Sequence, residues 1–199
     1  MNAPAGTAAP FVGAVLEFWF GRPEGDEYGG MRKIWFEKNP DFDAEIRRRF
    51  LADHGRAAAG ELDHLAATAE GALALIIVLD QFSRNMFRDQ PGMYATDHKA
   101  RTLAAGAMDR GFDQQLMPVH RIFLYLPFEH CETLENQNIS VKLFEALPPV
   151  PNRDRGIESA LRHREIIRRF GRFPHRNHIL DRETTAEEAE FLKEPNSSF

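Results

Sequence analysis

The sequence predicts an all-α fold, and three observations carry that reading. Apolar residues recur at helical spacing along most of the chain. Helix starts and stops punctuate it at short intervals, while strand signals are weak. In all, seven or more helices of modest length, joined by short links and with no substantial sheet, account for the 199 residues. Antiparallel pairs of such helices can stack as a compact superhelix, although no fixed-period repeat is visible.

The elements follow in order. Residues 1–9, small and neutral, read as a flexible tail, and 10–199 as one helical domain. Pro10 suits a first helical turn; Phe11, Val15, Phe18 and Trp19 then share a face, and Gly21-Arg22-Pro23 stops the run. Residues 21–30 hold four glycines and one proline and read as a loop. Asn39-Pro40 opens the next helix, with Phe42, Ile46 and Phe50 on its buried side. Residues 60–71 read as a connection. The stretch from Ala72 to Leu79 is apolar all round, which fits a buried strand or a buried helix; helix formers flank it and the pattern runs on to Phe87, so a central buried helix is expected. Asp97 is placed to cap a helix ending at Gly111. Residues 118–131 read as a helix that Pro127 should kink or break. Further helices are expected at 134–147, ending at Pro148-Pro149, and at 155–170, ending at Gly171. The last is expected at 186–193, opened by Thr184 or Thr185, each with a Glu three residues on.

Composition narrows the function classes. The formal charge is −5, from 25 basic and 30 acidic residues, which argues against a nucleic-acid partner. Twenty of the basic residues are Arg and five are Lys, a bias that either reflects source composition or supplies two-pronged anion contacts. Cys131 is the one cysteine, so no internal disulfide or zinc–cysteine cluster is expected. The N-terminal residues lack the features of a signal peptide, and the longest apolar run is far short of a membrane span, so a cytoplasmic, soluble protein without a membrane partner is expected. No P-loop, G-x-G-x-x-G, HExxH or G-x-S-x-G motif occurs; no cofactor is implied by a motif, and no metal is expected.

Three segments carry unusual polar residues. On a helical wheel, Asp80, Gln81, Arg84, Asn85 and Arg88 share a broad face opposite Phe82, Met86 and Phe87, as if the central helix emerged from the core into a polar cleft. The plain alternative is an intrahelical Asp80–Arg84 pair. In the stretch from His120 to Glu132, a straight helix puts Arg121, Tyr125, Phe128 and Glu132 on one face and His130 among Val119, Ile122 and Leu126. Burial would lower the His130 pKa, and Glu132 beside it would raise it. The third segment is His163, in an apolar arc with Ile166, Ile167 and Phe170, followed by a loop holding Arg172, His175, Arg176 and Asn177. The Arg-Asn pairs of QFSRNMFR (81–88) and RFPHRNHIL (172–180) echo one another weakly.

Several of these segments also carry a resemblance. Leu16-Glu-Phe-Trp-Phe-Gly21, Trp35-Phe36, Leu79-Asp-Gln-Phe-Ser-Arg-Asn-Met-Phe-Arg88, Phe123-Leu-Tyr-Leu-Pro-Phe128, Gln137, Phe170-Gly-Arg-Phe-Pro-His-Arg-Asn177 and the Thr-Thr-Ala-Glu-Glu at 184–188 resemble the uncharacterised domain of unknown function 924 family. The match covers about residues 10–193. It implies a tetratricopeptide-like helical fold and no established activity. Two positions depart from the family pattern, which has Ser at Cys131 and Gly at Asp181.

The expected site is a polar cleft walled by Arg84, Asn85, Arg88, Arg121, Tyr125, His130, Glu132, His163, Arg172, His175, Arg176 and Asn177. Its arginines would bind an anionic small molecule or an acidic peptide. A second reading is an enzyme in the same cleft, with His130 or His163 as acid or base, Glu132 orienting it and Arg stabilising negative charge. A third is a protein-binding scaffold.

Overall fold

The computed structural model describes residues 8–25 and 28–198, with the side chains of residues 8 and 9 left aside. The tail expected at 1–9 falls largely outside the described residues. Among the described residues there is no strand.

The helices are α1 (Ala8–Phe20), α2 (Pro40–Ala58), α3 (Ala69–Ile76), a π-helical segment (Ile77–Phe82) running directly into α4 (Ser83–Met86), α5 (Asp97–Asp109), α6 (Pro118–Glu129), α7 (Leu134–Glu145), α8 (Arg153–Phe170) and α9 (Ala186–Phe191). Their ends have local causes. Gly21 and Gly171 take positive φ after α1 and α8, where a side chain would be strained. Asn39 accepts from the Phe42 amide and Pro40 fills the first position of α2. Thr185 and Glu188 form a reciprocal capping box on α9. Asp181 adopts φ +50, the left-handed region that a glycine there would favour.

The continuous stretch from α3 to α4 is the axis of the molecule. Every residue from Gly71 to Ser83 is buried. α3 packs on α1, α5 and α6; α2 packs on α4 and the π segment; α7 lies between α6 and α8. Trp19 is fully buried and meets Phe82 (5.6 Å) and Phe123 (5.5 Å), joining α1, the π segment and α6 through edge-on aromatic contacts. A smaller apolar cluster of Ile166, Ile167, Phe173 and Phe191 holds α8 and α9 together.

Three expectations change. The connection at 60–71 is shorter than its composition suggests: Thr68 caps α3, and the chain before it makes a 3₁₀ turn (Asp63–Ala67). Asp97 does not cap α5; Thr96 is the cap residue, its hydroxyl donates to the Leu79 carbonyl, and the Asp97 carboxylate turns to Arg84. Pro127 does not break the helix: α6 runs through it to Glu129, without the bond that an N–H there would make to the Phe123 carbonyl.

Gly71 is where the turn crosses the start of α3. A Cβ there would overlap the Leu65 carbonyl oxygen, which is backbone and cannot swing aside. Gly71→Ala should therefore lower the unfolding free energy by about 1–3 kcal/mol or more, measured by urea denaturation, although alanine is the better helix former.

Candidate functional site

A cavity of about 650 Å³ opens beside the buried axis. The segment 31–38 forms one wall. Arg32 donates to the Phe18 and Trp19 carbonyls, and the Trp35 indole also donates to Trp19, so the spare carbonyls at the end of α1 hold this segment in place. Gln81, Arg84, Asn85 and Arg88 come from the π segment, α4 and the turn after it. Ile122, Leu126, Glu129 and His130 come from α6 and its end, Phe144 from α7, and Ser159 and His163 from α8. His175 and Arg176 close it from the loop after α8. Among the lining residues, eight are Arg or Lys (Arg32, Lys33, Lys38, Arg84, Arg88, Arg153, Arg155, Arg176) and two are acidic (Glu37, Glu129); carboxylates outside the lining pair with Arg84, Arg176, Arg88, Lys38 and Arg153.

Seven of the twelve expected wall residues line this cavity: Arg84, Asn85, Arg88, His130, His163, His175 and Arg176. The other five are placed elsewhere by partners of their own. Arg121 donates to the Leu116 carbonyl and to Gln114. Tyr125 is buried and donates to Asp113 at 2.9 Å. Glu132 accepts from the Phe173 amide and from both terminal nitrogens of Arg182, which pins the loop after α8 to the end of α6; it does not orient His130. Arg172 and Asn177 both bond Glu188 of the α9 capping box. Cys131 is buried and does not line the cavity; its sulfur is 2.7 Å from an Arg101 nitrogen.

Asp80, fully buried, holds the polar part of the cavity together. Its Oδ1 is 2.8 Å from His130 Nδ1 and 3.1 Å from Arg84 Nη1, and Oδ2 accepts from Gln81 at 2.7 Å. Burial alone would raise this carboxyl's pKa. The charge of Arg84 and the bonds from His130 and Gln81 outweigh that and hold it below the usual carboxylate range. Arg84 also grips Asp97 with two bonds, at 2.8 and 3.0 Å. Asp97 lies 3.5 Å from Arg176, which donates in turn to the His130 carbonyl at 2.9 Å. His130, Asp80, Arg84, Asp97 and Arg176 thus close a ring. Of the two Arg-Asn echoes, the arginines meet at Asp97, while Asn85 bonds Asp43 and Asn177 bonds Glu188.

An ionised carboxylate only accepts, so His130 Nδ1 carries the proton shared with Asp80. Burial, then the Arg84 charge, hold the ring's pKa below its ordinary value although Asp80 opposes them. In that neutral ring Nε2 is the bare nitrogen. It has no hydrogen-bond partner among the described residues and is not sealed from solvent.

A second pair sits against the wall. Ser159 donates to Glu129 Oε1 at 2.8 Å, and His163 Nδ1 lies 3.3 Å from the same oxygen while donating to the Ser159 carbonyl at 2.9 Å. Burial pushes Glu129 up to about 8, despite the Ser159 bond and helped by the Asp80 charge. Burial likewise pushes His163 down to about 3. Glu129 Oε2 is buried without a hydrogen-bond partner. No group of three or more His, Cys, Asp or Glu among the described residues is placed to hold a metal ion.

Sequence reasoning missed Glu129 and Tyr94, read Asp97 as a helix cap, and gave Asp80 no part beyond an intrahelical pair with Arg84. The signal for Glu129 was present: it is an acid inside an otherwise apolar run, where an uncompensated charge would be costly. Tyr94 gave no such signal; it matters because both Arg84 (5.8 Å) and Arg176 (4.4 Å) lie over its ring.

Fold and site together define an all-helical protein whose buried charged ring borders a cation-rich cavity. The chain belongs to a family of bacterial proteins of unknown function, DUF924, whose model matches residues 15–196. A solved structure of a protein of unknown function from Agrobacterium tumefaciens is similar, with 40% identity and a TM-score of 0.83, covering 94% of this chain and 99% of that one. No curated protein matches the chain. No helix among the described residues is long and apolar enough to cross a membrane.

The Glu129 pKa gives a test. Its folded value lies above the unfolded one, so its contribution to stability is full below pH 4.5 and is lost as pH rises through about 8. His163 works in the opposite sense, its contribution being lost as pH falls below 6.5 toward 3. His54, His120, His130 and His175 are depressed by burial as well, so five histidines raise stability with pH around 6.5, and the Glu129 effect is read against Glu129→Gln, where those contributions cancel. Wild-type unfolding free energy, taken relative to that of Glu129→Gln in the same urea melts, should fall by about 1.4 kcal/mol per pH unit between pH 4.5 and about 8, the slope easing as the upper value is reached.

Proposed function

We propose that the cavity binds a small molecule bearing a carboxylate or phosphate group on an apolar body. The observation that carries this reading is the set of basic side chains on the lining, of which Lys33 and Arg155 meet no carboxylate among the described residues, with Glu129 held neutral. Trp35, Ile122, Leu126 and Phe144 supply apolar wall for the remainder of the ligand, and the volume is within the range of small-molecule sites. Arg84 and Arg176 are already held by Asp97, which fixes them in advance and lowers the ordering cost of binding. Lys33 and Arg155 at the exposed rim make no carboxylate contact among the described residues and would meet the anion first. The scaffold reading has less support: the exposed large apolar residues Phe36, Leu51, Leu134 and Leu161 sit on four different segments.

Thermal melting with hexanoate and with inorganic phosphate tests the proposal, against sodium chloride at equal ionic strength. At a hundred times the dissociation constant the stabilisation should be about 2.7 kcal/mol, or roughly 5 °C or more for a chain of this size. Reversing the rim charges with Lys33→Glu and Arg155→Glu should remove most of it. Shifts no larger than those with chloride, for both anions, would overturn the reading.

A further inference from the structure

His130 joins three features that a structural histidine does not need. Its Nδ1–H is fixed by a carboxylate that is itself fully buried and anchored by Arg84 and Gln81. Its backbone carbonyl is tied down by Arg176, so the residue is held at both ends. Its remaining nitrogen is left bare at the wall of a cavity large enough for a substrate. A purely structural histidine would be expected to bond through both nitrogens or to be sealed off. A carboxylate that sets the tautomer and turns the other nitrogen outward is the arrangement of a general base.

We propose that His130 is a catalytic base acting through Nε2, with Asp80 as its positioning residue, on a small carboxylic or phosphoric acid that carries an acidic C–H bond next to a carbonyl. In the step, the substrate C–H bond breaks and an Nε2–H bond forms. The electron pair stays on the substrate as an enolate-type anion in the field of Arg84 and Arg176. The imidazolium, stabilised by Asp80, returns the same proton to a different atom of the substrate. The product is an isomer, and no oxidant, reductant or second reactant is consumed. The anchoring of the substrate rests on the anion-binding reading above; the base itself does not.

The test uses the full chain and 5-nitrobenzisoxazole, a neutral aromatic whose C–H is removed by a base as its N–O bond opens to a coloured phenolate. The wild-type rate should exceed that of an equal concentration of free imidazole by about a hundredfold. His130→Gln should bring it to the imidazole level, and His98→Gln, an exposed histidine away from the cavity, should leave it unchanged. A wild-type rate at the imidazole level, or an undiminished rate in His130→Gln, overturns the proposal. Because the probe is uncharged, the two readings separate: inhibition by inorganic phosphate supports anion binding, and a His130-dependent rate indifferent to phosphate removes that reading while leaving the base. The role of Asp80 needs no variant that folds. In ¹⁵N-histidine spectra at pH 7, His130 should carry its proton on Nδ1 with Nε2 bare, whereas an Nε2–H tautomer or a doubly protonated ring would contradict it.

Discussion

The arrangement depends on one buried carboxylate. Asp80 is fully out of water, and an ion so placed costs several kcal/mol unless partners surround it. Arg84, His130 and Gln81 meet that demand, and each is thereby fixed. Arg84 reaches Asp97 through the same Nη1 and through Nη2, and Asp97 is shared with Arg176. The π-helical segment is part of the same constraint. Bonding from i to i+5 loosens the ordinary carbonyl pairing, and the Leu79 carbonyl accepts the hydroxyls of Ser83 and Thr96. The Thr96 bond holds the start of α5 against the axis, which puts Asp97 beside Arg84. A local irregularity in one helix thus sets the geometry of residues from four parts of the chain.

The two polar pairs at the cavity keep different protonation states for the same reason. Asp80 is ionised because cationic and hydrogen-bonding partners outweigh its burial. Glu129 has one hydroxyl donor and no nearby cation to compensate it, so its carboxyl stays protonated near neutral pH. Two acids within one site are separated by environment, the condition under which one group accepts a proton while another retains it. Glu129 Oε2 is buried without a hydrogen-bond partner, and His130 Nε2 has none among the described residues, so both can still bond a molecule in the cavity.

Helix ends were legible in the sequence because their causes are local. Gly21, Asn39-Pro40, Gly171 and the Thr185–Glu188 box each act within four residues of the chain. The apolar stretch from Ala72 onward was legible as a buried helix, though not its change to π-helical bonding. Seven cavity residues were legible as polar side chains attached to apolar helices. Their partners were not, since Asp80 and His130 are 50 residues apart and so are Glu132 and Arg182. Nothing local shows that Glu132 staples a loop, or that Arg172 serves a helix cap while Arg176 faces the cavity. The Asp80–Arg84 spacing was visible, but an exposed pair of that kind contributes only about 0.2–0.5 kcal/mol; burial turns the same spacing into the anchor of the site.

The most direct measurement is the unfolding free energy of Asp80→Asn, by urea denaturation at pH 7 with helical circular dichroism as the probe. If the ionised carboxylate anchors the ring, this isosteric change keeps an acceptor oxygen but removes the charge that balances the buried Arg84 and turns an N–H donor into the cluster, and it costs about 3–5 kcal/mol. A loss below about 1 kcal/mol would mean that the ring holds without its charge, and that Asp80 is not the group on which the cavity depends.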